Sequence, residues 1–92
     1  MTPAELKELE KIVAEASKND IIVGAETGKI QNNGKYVDVI RTTVYHTPSG
    51  KFVNVMYRDS PSNFKKWLTD NMDAFITSIH KQIAREAEKN SL

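Results

Sequence analysis

A chain of 92 residues, 39% hydrophobic and 27% charged, is long enough for one thin-cored domain and too short for two ordinary ones. The lack of cysteine excludes disulfide bonds and thiolate metal sites, and no apolar run approaches the ~20 residues of a membrane span. The formal net charge of +1 by itself favours no class of partner.

Charge is unevenly distributed along the chain. Residues 1–20 hold five carboxylates against three lysines, residues 21–58 hold five cations against two carboxylates, and residues 59–92 are balanced. No stretch rich in proline, glycine or serine separates these parts, so we predict a single domain over residues 1–92. The first residues do not have the pattern of a secretory signal, so we expect the fold to begin there and the protein to be soluble and cytoplasmic.

A helix is predicted at the start of the chain. Thr2 and Glu5 have the spacing of a capping box, and Pro3 suits the first helical position. Apolar residues then recur every three or four positions and predict one buried stripe, formed by Leu6, Leu9, Ile12, Val13 and Ala16. We expect this helix to end near Asn19.

Three strands are predicted next. The first opens at Ile21, and Gly24 and Gly28 favour a bulge or a kink within it. The Asn-Asn-Gly sequence at residues 32–34 tolerates positive φ and predicts a tight hairpin turn. The second strand is expected over residues 36–46 and the third over residues 52–58, with a Thr-Pro-Ser-Gly turn between them.

A long second helix is predicted after the strands. Ser60 is the expected N-cap, and Pro61 is the expected first helical residue. The apolar stripe runs to about Ala87, although Asp70 and Asn71 are able to recap a helix, and a break there is an alternative. The side chains expected to anchor the core are Phe52, Phe64, Trp67 and Phe75.

These elements predict an α+β fold in the order helix, three-stranded antiparallel meander, helix, with the helices covering one face of the sheet. The strands do not alternate cleanly between apolar and polar residues. We therefore expect the uncovered face to be partly apolar and to include Phe52, Met56 and Ile40. An exposed cluster of this kind favours a binding partner.

The sequence contains no pattern that predicts a catalytic residue, a cofactor site or a metal site. Residues 24–30 follow an apolar strand as a phosphate-binding loop does, but three residues separate the glycines instead of four, and Ile30 replaces Ser or Thr. His46 and His80 lack partners at metal-ligand spacing. We predict a non-enzymatic protein, with an enzyme whose catalytic groups are distant in sequence as the alternative.

The predicted strands and turns combine cations with aromatic rings. Cations neutralise phosphates and rings stack on bases, so this composition favours RNA or an acidic protein surface as the partner. Solubilising charges and ordinary sheet packing are the alternative explanation. The predicted partner-binding residues are Lys29, Lys35, Tyr36, Arg41, Lys51, Phe52, Arg58, Lys65 and Lys66.

The element order, with Lys65 and Lys66 opening the last helix, resembles the double-stranded RNA-binding domain, whose final helix places lysines on phosphates. The chain departs from that family at Trp67 and Leu68, where the family has small residues, and in the length of its last helix. This resemblance implies a nucleic-acid-binding module.

In size, element order and absence of a catalytic motif, the chain also resembles small phage-encoded anti-CRISPR proteins, particularly those that act on type I surveillance complexes. The likeness covers residues 2–92 and rests on overall character. It implies a non-enzymatic inhibitor in the host-cell cytoplasm, with no cofactor or small-molecule substrate, that docks on Cas subunits and guide RNA and blocks target DNA. The basic strands would meet RNA, while Glu5, Glu8 and Glu15 would meet a basic groove.

Overall fold

The computed structural model describes residues 1–91. Its elements are α1 (Pro3–Ala16), β1 (Ile21–Asn32), β2 (Lys35–His46), β3 (Phe52–Tyr57), a 3₁₀ turn (Pro61–Asn63) and α2 (Phe64–Asn90). The strands form one antiparallel sheet in the order β1-β2-β3. This arrangement confirms the predicted α+β meander flanked by two helices.

The N-terminus of α1 has the predicted capping box. The Thr2 N–H donates to Glu5 Oε1 at 2.9 Å, and the Glu5 N–H donates to the Thr2 hydroxyl at 3.2 Å. Hydrogen bonding from Thr2, first through its backbone and then through its side chain, lowers the pKa of the Glu5 carboxyl.

The C-terminus of α1 lies at Ala16, earlier than the predicted Asn19. Ser17 is the reason. Its hydroxyl donates to the Val13 carbonyl at 2.9 Å and accepts from the Val23 N–H of β1, also at 2.9 Å. A single side chain therefore ends the helix and ties its last turn to the outer edge of the sheet.

The hairpin of β1 and β2 is longer and more regular than predicted. The register is unbroken over all twelve residues of each strand, so the predicted bulge at Gly24 or Gly28 is wrong. The same pairing places residues 24–30 in extended strand, where their amides serve the sheet and do not wrap around a phosphate. Asn33 and Gly34 have φ of 51° and 78°, which confirms the predicted tight turn.

The second turn and α2 are also close to prediction. Gly50 takes the left-handed φ of 73° expected of it, and β3 ends at Tyr57, one residue early. Ser60 caps the 3₁₀ turn that leads into α2. α2 has no break at residues 70–71, because Asn71 donates its side-chain amide to the Trp67 carbonyl at 2.7 Å instead of starting a new helix.

Both helices pack on one face of the sheet, as predicted, and the core lies between them and the strands. At 1.5 Å per residue α2 is ~40 Å long, so it extends past the short β3, and residues 84–90 are exposed. Among residues 1–91, no helix is both long and apolar enough to span a membrane. The core residues are Leu9, Ile12, Val23, Ile40, Val44, Tyr57, Phe64, Leu68 and Ile79.

Two residues differ from what the sequence predicted of the core. Phe64 is fully buried with Trp67 and Phe75 packed against the same cluster, as predicted, but Phe52 is 52% exposed, so its expected place on the uncovered face is confirmed and its expected role as a core anchor is wrong. Ile40 was expected on the uncovered face, yet it is buried and pairs with Tyr57 on the helix-facing side. Both strand faces are apolar, so composition did not distinguish the inner face from the outer one.

Thr42 is the one polar core residue among those described. It is 1% exposed, and its hydroxyl has no hydrogen-bond partner within residues 1–91. Its cross-strand neighbours, Ala25 and Val55, offer no polar group. A buried hydroxyl without a partner costs free energy that an apolar group of similar shape does not.

Replacing Thr42→Val is expected to raise the free energy of unfolding by about 1 kcal/mol, because it removes this unsatisfied hydroxyl at nearly constant volume. Urea denaturation measures the change. Thr43→Val on the other side of the same strand is the control and is expected to change stability little. A Thr42→Val protein less stable than the parent would contradict the assignment.

The lowered pKa of Glu5 makes the stability of the fold depend on pH in the acid range. Its pKa in the folded protein lies below the ordinary 4.5, so the carboxylate stabilises the fold above that pH, and this contribution is lost as the pH falls through the folded-state pKa. Glu5→Gln should therefore flatten the acid limb of a plot of urea midpoint against pH. Glu8→Gln, an exposed change in the same helix, should leave the limb as steep as in the parent. Equal steepness in all three proteins would disprove the role.

Candidate interaction surface

The face of the sheet that neither described helix covers is called the open face. Strand alternation and the observed register place its members together. They are Ile22, Gly24, Glu26, Gly28, Ile30 and Asn32 of β1, Lys35, Val37, Val39, Arg41, Thr43 and Tyr45 of β2, and Phe52, Asn54 and Met56 of β3. Val39 alone among them is buried, at 1% exposed.

An apolar row crosses one end of the open face. Tyr45 pairs with Ile22 on one side and with Phe52 on the other, so the three side chains are direct cross-strand neighbours. Ile22 and Phe52 are each 52% exposed, and Tyr45 is 36% exposed. Beside the row lies Gly24, around whose missing side chain there is open space to 4 Å. The row is therefore accessible from its flank as well as from above.

Charge on the open face is mainly positive. Arg41 precedes Tyr45 by four residues along β2, about 13 Å away, and lies between Glu26 and Met56. Lys35 adds a second cation near the hairpin turn. Glu26, the one carboxylate on this face, offsets part of the charge. The open face thus has an apolar row at one end and cations farther along it, with Lys35 at the opposite end near the hairpin turn, and protein-binding surfaces commonly join apolar and charged groups.

Three predicted partner-binding residues do not share this face. Lys29, Tyr36 and Lys51 point to the other side of the sheet, because side chains alternate between the two sides along the chain. Tyr36 is 74% exposed near the hairpin turn. Lys51 forms an ion pair with Glu86 of α2, so its charge is already partly compensated. The structure brings Lys35, Arg41 and Phe52 onto the open face and leaves these three outside it.

The remaining predicted residues lie toward the start of α2. Lys65 lines a groove between α1 and α2. Arg58 and Lys66 line a different depression, called here the β3–α2 cleft, between the end of β3 and the first turns of α2. Its volume is about 690 Å³, and it is lined by Met56, Tyr57, Arg58, Asp59, Asn63, Lys66, Trp67, Asp70 and Asn71.

Tyr57 holds one wall of the β3–α2 cleft in place. Its hydroxyl donates to the Ser60 carbonyl at 2.6 Å, and its ring contacts those of Phe64 and Trp67 at centroid distances of 5.3 and 4.9 Å. Burial raises the pKa of Tyr57, and the nearby Asp59 charge adds to the effect. Tyr57 is a neutral structural side chain rather than a free ring for stacking.

The acidic helix and the basic open face lie on opposite sides of the molecule. α1 packs on the helix-facing side of the sheet, so Glu8 and Glu15 point away from Arg41. Glu5 is already bound in the capping box. A single flat partner surface does not contact both charge patterns.

Ile22 and Tyr45 are open-face residues that the predicted set omitted. Strand alternation showed that these two residues point to one side of the sheet and their chain neighbours to the other. It did not show which of the two sides the helices cover. The structure also brings the rings of His46 and His80 to a centroid distance of 6.5 Å. Among residues 1–91 they do not join a group of three potential metal ligands.

Comparison with models of protein families, with curated proteins and with solved structures found no match.

The exposure of Phe52 predicts that the fold tolerates a polar substitution at that position. Phe52→Thr should lower the free energy of unfolding by only about 1 kcal/mol, because about half of the ring stays in water in the folded protein. Phe64→Ala, at a fully buried ring, should cost about 3–5 kcal/mol. Urea denaturation of both variants compares them directly. A loss of several kcal/mol in Phe52→Thr would show that the open face is covered.

Proposed function

We propose that this chain is a non-enzymatic binding protein that docks on a nucleoprotein assembly through the open face of its sheet. The observation that carries the proposal is the exposed row of Ile22, Tyr45 and Phe52 on the same face as Arg41. Exposed apolar side chains in contact with one another favour a partner that removes them from water. Cations on the same face favour a partner with negative charge, which a nucleoprotein supplies through phosphates and acidic side chains.

In its most specific form, the partner is a type I CRISPR surveillance complex in the cytoplasm of the host cell, contacted on Cas subunits with guide RNA nearby. The protein then acts as a stoichiometric inhibitor that blocks target DNA. What supports this form is the resemblance in size and element order, together with separate basic and acidic faces that suit a deep nucleic-acid groove better than a flat surface.

Co-elution with purified type I surveillance complexes on a sizing column tests the proposal. We expect Arg41→Glu and Phe52→Asp each to weaken the complex by at least about tenfold, because both change the centre of the proposed contact. Lys81→Glu, a charge reversal at an exposed position of α2 that belongs to neither charged face, is the matched control and should bind as the parent does.

Two results separate the general proposal from its specific form. No co-elution with any type I complex would overturn the specific form. If affinity capture from cells then recovers nucleoprotein through Arg41 and Phe52, the general proposal stands. Capture that is unchanged in both variants would overturn it.

A second candidate function is direct binding of duplex RNA. It is favoured by the helix–meander–helix order and by the exposure of Lys65 and Lys66 in the first turn of α2. This function predicts mobility shifts on naked duplex RNA that weaken steeply with salt and depend on Lys65 and Lys66, not on Phe52. The docking proposal predicts the reverse dependence.

A further inference from the structure

The β3–α2 cleft has an aromatic wall. Trp67 is half-buried and packs against Tyr57, Phe64 and Phe75 at centroid distances of 4.9, 5.6 and 5.7 Å. These contacts hold the indole in position, and its remaining surface lines the cleft. An indole held in this way provides a preorganised apolar surface for another planar ring.

Arg58 and Lys66 lie at the edge of the same cleft. The carboxylates beside them are partly engaged. Asp59 accepts from the Ser60 N–H at 2.7 Å, and Asp70 lies 3.9 Å from the Lys66 ammonium in a largely exposed pair. Within residues 1–91, Arg58 has no carboxylate within ion-pair distance. Its guanidinium is free to hold a phosphate in two-pronged geometry.

Two side-chain amides complete the cleft. Asn63 makes no capping hydrogen bond at the start of α2, so both its donor and its acceptor are unused there. Asn71 donates its NH₂ group to the Trp67 carbonyl, which leaves its side-chain oxygen as an acceptor. Amides of this kind recognise the polar edge of an unpaired base.

We propose that the β3–α2 cleft binds one unpaired nucleotide, with the base against Trp67 and its phosphate on Arg58 and Lys66. The volume of about 690 Å³ lies within the range of small-ligand sites. A base inside a duplex does not expose the ring face that the cleft requires. This inference deepens the proposed docking on a nucleoprotein, and rests on it for the source of the nucleotide, but it concerns a different set of side chains.

Trp67 is the one tryptophan of the chain, so its fluorescence reports directly on the cleft. We expect single-stranded octamers of uridylate and adenylate, or their DNA counterparts, to quench it saturably at low salt. The parallel RNA and DNA titrations show which sugar is preferred. Duplexes of the same sequences should quench weakly. Arg58→Gln should weaken binding by about tenfold, as expected for loss of a charge-assisted phosphate contact, whereas Lys7→Gln should not.

Absence of saturable quenching with every single-stranded probe would overturn the inference, and so would equal quenching by duplexes or full affinity in Arg58→Gln. Anisotropy of a labelled octamer with Trp67→Phe supplies a second measurement, in which weaker binding is expected even though the core ring is kept. Phe52→Thr, at the far end of β3 from the cleft, should quench as the parent does. A protein that binds octamers but no nucleoprotein therefore refutes only the docking proposal, and the opposite result refutes only the nucleotide site.

Discussion

The continuous pairing of β1 with β2 is the constraint on which the rest of the molecule depends. Because the register has no bulge, every second residue of both strands points to the same side along the whole hairpin. The Ser17 hydroxyl then attaches the end of α1 to the edge of β1. This attachment determines which side of the sheet the helices cover. The alternate residues of each strand, which point the other way, lie on the open face.

The open face and the β3–α2 cleft arise from the difference in length between the elements. β3 has six residues, whereas its neighbour β2 has twelve and α2 has 27. The chain therefore leaves the sheet at Tyr57 and turns through Ser60 into α2, which opens the space that Arg58 and Trp67 line. Tyr57 stabilises this corner through its hydrogen bond and its ring contacts.

Local signals in the sequence predicted local structure well. Thr2 and Glu5 form the capping box, Asn33 and Gly34 form the hairpin turn, and Gly50 takes a left-handed conformation, because each depends on neighbours a few positions away. The bulge predicted from the glycines of β1 is wrong, because glycine fits a regular strand as well as a bulge, and the register continues unbroken through Gly24 and Gly28. The alternative helix break at Asn71 does not occur, because the Asn71 side chain donates a hydrogen bond to the Trp67 carbonyl within the helix instead of capping a new one.

The candidate site was predicted only in part, for a related reason. Charge and aromatic content predicted a binding region in the strands, but among the predicted strand residues only Lys35, Arg41 and Phe52 lie on the open face, and they are spread along its length. Ile22 and Tyr45 complete the apolar row and carried no distinguishing signal. Arg58 and Lys66 meet at a cleft formed with Trp67, which sequence patterns had marked only as a core residue.

By itself, the sequence determined the order of the helices and strands, the turns between them and the presence of an apolar helix stripe, because these follow from short-range periodicity and backbone preference. Only the tertiary structure decided that Phe52 is exposed while Ile40 is buried, and that Arg58 and Lys66 share a cleft while Lys51 pairs with Glu86. Both phases of these strands are apolar, so the buried side depends on where the helices dock, and that docking involves residues far apart in the chain.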